Sequence, residues 1–535
     1  MAYENIVFEI DTLPKIIEIP NFSSQKEINI RYPLISPYAY AHIFWDNANN
    51  ELVYYVEEPV LDDVEKEVLR LIQLALEEMI NISFAHASKF NLLIKYLEKN
   101  VQSILVELGT KVSEETYKKV MYYVFRDSVG LNEIEPLLKD YFIEDIECNG
   151  FGFPIYIVHR KFENIRTNII YDTPEKLTDF VEKLAQKSGK YISYAKPLLD
   201  GALPDGSRVN ATYTEDVTTR GPTFTIRKFT TEPWTPLDLI KFGTATPEVF
   251  AYLWFAIEQK FNIMSIGETA SGKTTFLNAI LSFIPSEARI CSIEDTRELN
   301  LAHDNWMPSV SRTGFGIPNL IGKEYGEITL FDLLRETFRQ NPDYVVVGEV
   351  RGREAYVLFQ GMASGHPSFG TFHAGSVETL VRRLETPPIN LPASLVESLD
   401  IVCVVTHIKE KNRNIRRLKE LLEIQKVNVS RIGNIEYNRI FEWNPVKDGI
   451  VKLNIPSVVL SKIMGRTGLS LQEINNELNI RARLLDALSK SSDTFNYKDF
   501  NKIIKAYSTD RDSVISKYIG NISVNTGTPA RKKAK

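Results

Sequence analysis

Cysteine is scarce in this sequence: Cys148, Cys291 and Cys403 are scattered, with no CxxC pair. That excludes a disulfide framework and a cysteine zinc site, and it suits a reducing compartment. A basic excess is also missing. The formal net charge is −6 and the sequence pI about 5.9, which argues against a dedicated nucleic-acid binder, though not against a local basic patch. No run reaches the ~18 to 20 uninterrupted apolar residues that span a bilayer. The best candidate, AYLWFAIEQKFNIMSIG, is broken by Glu258, Gln259 and Lys260. The opening stretch MAYENIVFEIDTLPK has acids where a signal peptide has a basic region before an apolar core. The expectation is a cytoplasmic protein, held peripherally at the membrane's inner face if a partner places it there. There is no internal repeat.

What is present is length: 535 residues and 61.1 kDa, more than one ordinary core, so two or three domains are expected. Residues 1–112 mix β-like runs with amphipathic helices. In LDDVEKEVLRLIQLALEEMI, Leu61, Val64, Val68, Leu71, Ala75 and Met79 recur at helical spacing. Residues 113–230 alternate helices and strands, among them the strands PIYIVHRKF and TFTIRKF and the helix PEKLTDFVEKLAQKSG. The stretch 231–237, with Pro233 and Pro236, reads as a linker. Over 238–455 the apolar runs NIMSI, ARICSI, DYVVVG, PSFGTF and DIVCVV are spaced by helical stretches, which implies a parallel sheet with helices on both faces. Residues 456–515 read as helical and 516–535 as a disordered basic tail.

The chemistry starts in GETASGKTT, which fills G-x-x-x-x-G-K-[ST] with Gly267, Gly272, Lys273 and Thr274. Such a loop, here Gly267, Glu268, Thr269, Ala270, Ser271, Gly272, Lys273, Thr274 and Thr275, lets backbone N–H groups and a helix N-terminus point at phosphate oxygens. Lys273 then reaches the β/γ-phosphates and the Thr274 hydroxyl ligates Mg²⁺. The loop follows a predicted strand and opens a predicted helix, the context that gives the motif meaning. A phosphate-cleaving site also needs a carboxylate beyond an apolar strand. DYVVVGEVR supplies Glu349, preceded by Gly348 where most P-loop enzymes keep an Asp. A second acidic cluster, SIEDTREL, places Glu294 and Asp295 at the carboxyl edge of the sheet, where open α/β folds bind ligands. SGHPSFGTFHAG contributes His366 and the strand-terminal His373, and the latter is a candidate to sense a terminal phosphate or a neighbouring subunit. Arg208 and Arg227 lie ahead of the linker. Taken alone they fit surface ion pairs as well as phosphoryl neutralisation.

The set LPDGSRVN, TFTIRKF, GETASGKTT, SIEDTREL, NPDYVVVGEVRGREA and GHPSFGTFHA, in that order, resembles the ATPase family that powers type II secretion, type IV pili and the archaeal swimming filament. The resemblance covers about residues 115 to 410. YFIEDIECNGFGFPIYIVHRKF resembles the archaeal branch in particular, and the paired-CxxC insertion of bacterial export ATPases is missing. The resemblance implies an α/β fold: a RecA-like P-loop ATPase domain behind an α/β, PAS-like domain, with an N-terminal helical and β segment and a helical C-terminal tail. It also implies a homo-hexamer that uses ATP and Mg²⁺, works on a polytopic membrane platform protein and acts indirectly on pilin-like subunits, without nucleic acid. By the same resemblance Glu294 is the acidic-box glutamate and Glu349 polarises water, with Glu294 and Glu349 meeting the metal through water. Gly before that glutamate is usual in this family. His366 and His373 match its histidine box, and Arg208 and Arg227 its nucleotide-facing arginines. The sequence departs from the family pattern at Pro367, Asn341 and Gly375. A nucleic-acid translocase on the same fold is the alternative. The tail MGRTGLSLQEINNELNIRARLLDALSKSS is expected to be a capping helical hairpin rather than a helix-turn-helix reader, and the basic run KEKNRNIRRLKELLE a solvated strand edge.

Overall fold

The computed structural model of the chain describes residues 6–520 apart from 16, 21, 80–89, 313, 315–324, 411–412 and 428–434. It divides into two units, residues 1–229 and 230–535, each built on its own nine-stranded sheet.

In the first unit three antiparallel groups of strands stand side by side. They are β1 (Asn29–Ile35), β2 (Ala39–Asp46) and β3 (Glu51–Glu57); β4 (Ile143–Cys148), β5 (Pro154–His159) and β6 (Glu163–Ile170); and β7 (Leu198–Ala202), β8 (Arg208–Thr212) and β9 (Thr223–Arg227). The order is β1-β2-β3-β6-β5-β4-β9-β8-β7. Helices α1 (Asp63–Met79), α2 (Phe90–Glu107), α3 (Glu114–Ser128), the short α4 (Glu135–Lys139) and α5 (Pro174–Lys187) complete the unit. Period-two alternation makes the strands: β5 buries Ile155, Ile157 and His159 and half-exposes the residues between. Although the sequence suggests a separate segment up to 112, the structure joins that segment to the later strands. Val53 and Tyr54 of β3 pair in parallel with Arg166 and Thr167 of β6. The Tyr32 and Tyr54 hydroxyls also donate to buried Asp140 at 2.7 and 2.6 Å.

The second unit opens with the stretch read as a linker, and its α6 (Pro236–Lys241) already starts at Pro236, capped by a reciprocal Thr235–Asp238 box. Next comes α7 (Pro247–Glu258), whose residues Val249 to Ile257 are all buried. This is the longest apolar run of the sequence, and it is a core helix. No described helix is long and apolar enough to cross a membrane. Then follow β10 (Ile263–Gly267), α8 (Lys273–Leu281), β11 (Ile290–Glu294), β12 (Trp306–Val310), α9 (Leu330–Thr337), β13 (Tyr344–Val350), α10 (Glu354–Ala363), β14 (Ser368–His373), α11 (Val377–Glu385), α12 (Ala393–Val396) and β15 (Ile401–Glu410). Three further strands, β16 (Arg413–Val427), β17 (Ile435–Asn444) and β18 (Gly449–Lys452), precede helices α13 (Val458–Thr467), α14 (Leu471–Lys490), α15 (Tyr497–Thr509) and α16 (Arg511–Ile519).

Six strands, β12-β11-β13-β14-β10-β15, form the expected parallel sheet, five of them at the apolar runs named from the sequence and β12 in addition. Its two faces are both apolar. Ile263, Tyr344 and Val346 pack with α7, α8 and the C-terminal helices, while Met264, Ile266, Val345 and Val347 pack with α9 to α12. The basic run is not a solvated edge. It is β16, paired antiparallel with β15 on one side and β17 on the other, with Leu418, Leu421 and Leu422 buried. The helical tail is committed to the core: α14 buries Ile474, Leu484, Leu485 and Leu488, and its buried Arg481 pairs with Glu258 of α7 at 2.7 Å. Helix α16 runs to Ile519 and so takes in the first residues of the stretch 516–535 expected to be a disordered tail; residues 521–535 lie outside the described residues.

Candidate active site

The loop Gly267–Thr275 joins the carboxyl end of β10, an interior strand, to the first turn of α8. Gly272 stands at φ +90° as the helix cap, a left-handed conformation that needs glycine. Glu268, Thr269, Ala270 and Thr275 are exposed, Thr274 is half-buried, and Ser271 and Lys273 are buried. Lys273 donates from Nζ to the Glu268 carbonyl at 2.8 Å, across its own loop. The cation is thus kept within the cradle, and burial holds its pKa below the usual lysine value.

Neighbouring strands end beside this lysine. His373, last residue of β14, has Nδ1 at 3.5 Å from Lys273 Nζ and Nε2 at 3.2 Å from Glu349 Oε1. The second contact is close but lacks hydrogen-bond alignment, since Glu349 Oε1 is buried without such a partner among the described residues. Burial and then the Lys273 charge push the His373 pKa down, so the imidazole is neutral at neutral pH. The other Glu349 oxygen takes a short contact from Arg351, two residues on. That residue escaped the sequence reading, yet strand period two carried one step past β13 puts 349 and 351 on one side.

Glu294 ends β11 and is 2% exposed. Its Oε1 accepts the backbone N–H groups of Glu298 and Leu299, both at 2.9 Å. Its Oε2 is buried with no partner among the described residues. Burial pushes its pKa up to about 7, against the pull of those two N–H groups. A Cβ on Gly348 would sit 2.8 Å from Glu294 Cγ, so the position that is usually Asp must be glycine for Glu294 to lie there. The carboxylate missing at position 348 is matched by one arriving from β11.

Three sequence candidates have other partners. His366 stands before the start of β14, seven residues and so roughly 20 Å of extended chain from His373. It packs edge-on against Phe338, ring centroids 5.1 Å apart, and is not brought to the loop. Arg208 and Arg227 belong to the first unit, where they are direct cross-strand partners of β8 and β9. Each is held by its own carboxylate: Arg208 by Asp200 at 3.2 and 3.1 Å, and Arg227 by Asp145 at 3.0 Å. Such compensation lets two like charges stand opposite one another.

A phosphate loop on an interior strand of a parallel sheet, with carboxylates at the ends of other strands of that sheet, defines a RecA-like P-loop ATPase. Residues 155–442 match the family described as "Type II/IV secretion system protein", and the chain belongs to that family. It is similar to the uncharacterized protein MJ0900 of Methanocaldococcus jannaschii, 34% identical over 509 residues that cover 90% of this chain and 89% of the relative. A second uncharacterized protein of that organism, MJ1287, is 44% identical over 272 residues, covering 51% of this chain and 97% of its own. Among solved structures it is similar to the VirB11 ATPase of the Brucella suis type IV secretion system, at 26% identity over 54% of this chain and 91% of that one, with a TM-score of 0.27.

Proposed function

We propose that the chain is the hexameric motor of a type IV pilus-like machine in an archaeal-type envelope, coupling ATP hydrolysis to domain motion that assembles or secretes its filament subunits. The observation that carries the reading is the gathering of Lys273, His373 and Glu349 beside one phosphate loop, with Glu294 buried against Gly348 of the strand that carries Glu349, in a family of secretion ATPases. In this reading Lys273 leaves the Glu268 carbonyl for the β/γ-phosphates, and the loop N–H groups hold the rest of the anion. The Thr274 hydroxyl and the unpartnered Glu294 Oε2 are oxygen donors of the kind Mg²⁺ takes, and Glu294 and Glu349 would meet it through water. When bound, the metal supplies charge for the phosphoryl oxygens. Glu349 orients the attacking water once Arg351 lets it go, and neutral His373 lies between it and Lys273, placed to register the terminal phosphate. Arg208 and Arg227, carried by the domain proposed at 113–230, complete the charge around the nucleotide when that domain closes on the ATPase domain proposed at 238–455. Hydrolysis releases them, and the swing of the domains pushes a membrane platform protein that hands on pilin-like subunits. The ring docks peripherally at the inner face of the membrane.

Purified protein should hydrolyse ATP, form a ring of six by sizing with light scattering, and lose at least about 100-fold of its rate as Lys273→Ala. Filament assembly in cells should stop with the same substitution. An inert wild-type protein, or Lys273→Ala cells with normal filaments, would overturn the reading. Strong stimulation by DNA would instead support a translocase.

A further inference from the structure

We infer that Arg416, on β16, is a positioning residue of the nucleotide site, holding the tip of the phosphate loop and lending it charge. The pairing explains how a residue almost 150 positions after the loop reaches it. β10 stops at Gly267, opposite Val405 of β15, but β15 continues to Glu410 and turns back as β16. The hairpin therefore runs on past the carboxyl edge of the sheet, alongside the loop. Arg416 stands opposite His407, two residues beyond the Gly267–Val405 pair.

There the Arg416 Nε donates to the Ala270 carbonyl at 3.2 Å. Ala270 is the tip of the loop and stands at φ +59°, a left-handed conformation that residues other than glycine disfavour. Something must hold it, and this bond does. The arginine stem also lies over the next glycine, since a Cβ on Gly272 would be 3.1 Å from Arg416 Cδ. The two terminal amino groups of the guanidinium have no partner among the described residues, and the side chain is half-buried. A fixed cation with spare donors thus borders a cradle whose ligand is anionic, which is what an arginine fork serves well. The neighbour Arg417 shows the contrast. Strand alternation sends it to the other face, where Asp448 takes its Nε and Nη2 at 2.8 Å and the Phe242 and Arg416 carbonyls take its Nη1 at 2.9 and 3.0 Å.

The test compares ATP and ADP binding by titration calorimetry with steady-state kinetics, for the full chain and three variants. Arg416→Ala should weaken ATP binding about tenfold, the scale of one lost charge-assisted bond, and raise KM alike, with kcat within about threefold. Arg416→Lys keeps the charge but not the planar donor, and should recover part of that loss. Raising the salt should shrink the gap between the Ala and Lys variants. Lys273→Ala reports on the loop itself. If Lys273→Ala binds ATP weakly while Arg416→Ala and Arg416→Lys, both folded by thermal melting, bind it as the wild type does, the inference is overturned and the loop's role stands. If Lys273→Ala also binds normally, the nucleotide site is elsewhere and both fail. A fall in kcat with KM unchanged would likewise overturn the positioning role.

Discussion

Replacing Glu294 by Gln should make the protein more stable and less active at once, by a margin that grows from about pH 4.5 and is complete above about 7. Burial raises the folded pKa of this carboxyl to about 7 from its ordinary 4.5. At 1.36 kcal/mol per pH unit that gap is worth about 3 kcal/mol. The sign follows from which state holds the proton. Below pH 4.5 the group is protonated both folded and unfolded, and it costs nothing. Between 4.5 and about 7 the unfolded chain gives up the proton while the fold keeps it, so stability falls as pH rises. Above about 7 the full penalty is present. Gln carries no charge at any pH and keeps an oxygen for the Glu298 and Leu299 N–H groups. Glu294→Gln should therefore melt several degrees above wild type at pH 8, and within about a degree of it at pH 4.5. ATP hydrolysis should fall at least about 100-fold at pH 8, because Oε2 no longer offers a charge to the metal and water. Thermal melts of both proteins across pH 4.5 to 8 decide the matter. A gain that is the same at every pH, or a loss at pH 8, would refute the reasoning that burial, first among its causes, raises this pKa.

Two further substitutions test the packing around the site and the tail. Gly348→Ala puts a Cβ 2.8 Å from Glu294 Cγ and should cost about 1 to 3 kcal/mol. In a Glu294→Ala background only the 3.4 Å contact to Cβ remains, so denaturation should show that cost gone, and simple additivity of the pair would contradict the clash. Arg481→Met removes the cation that Glu258 and Glu477 face at 2.7 and 2.8 Å and should cost about 3 to 5 kcal/mol. Hydrogen exchange should then quicken across α14 to α16, and unchanged protection there would show that the pair does not hold the tail.

How much of this was readable in advance depends on how local the cause is. The phosphate loop and five of the six parallel strands follow from motif and period within about ten positions of each other, while β12 was not foreseen. Pairing between distant strands does not. Arg416 and Arg417 look alike in the run NIRRLK, and nothing near them says that β16 is an interior strand. Once it is, alternation alone assigns one arginine to the loop and the other to Asp448. His366 and His373 invite the same role by sitting in one motif, but a strand of six residues lies between them, and a strand has two ends. Arg351 was within reach, by carrying the strand period one residue past Val350.

Gly348 is the most instructive position, because resemblance could say that glycine is usual there without saying why. The cause is steric and lies 54 residues earlier in the chain, in Glu294 at the end of the next strand. A side chain at 348 and that of Glu294 on β11 would compete for the same space. The protein keeps the one on β11, where two backbone N–H groups orient it and burial leaves its free oxygen close to its pKa at neutral pH. An Asp at 348 would have to enter the buried space that Glu294 fills, on a strand that already carries Glu349. Moving the charge to β11 lets the two acids approach from different strands, with Lys273 and His373 beside Glu349, so each can be tuned separately. The glycine is therefore part of the site through the side chain it lacks.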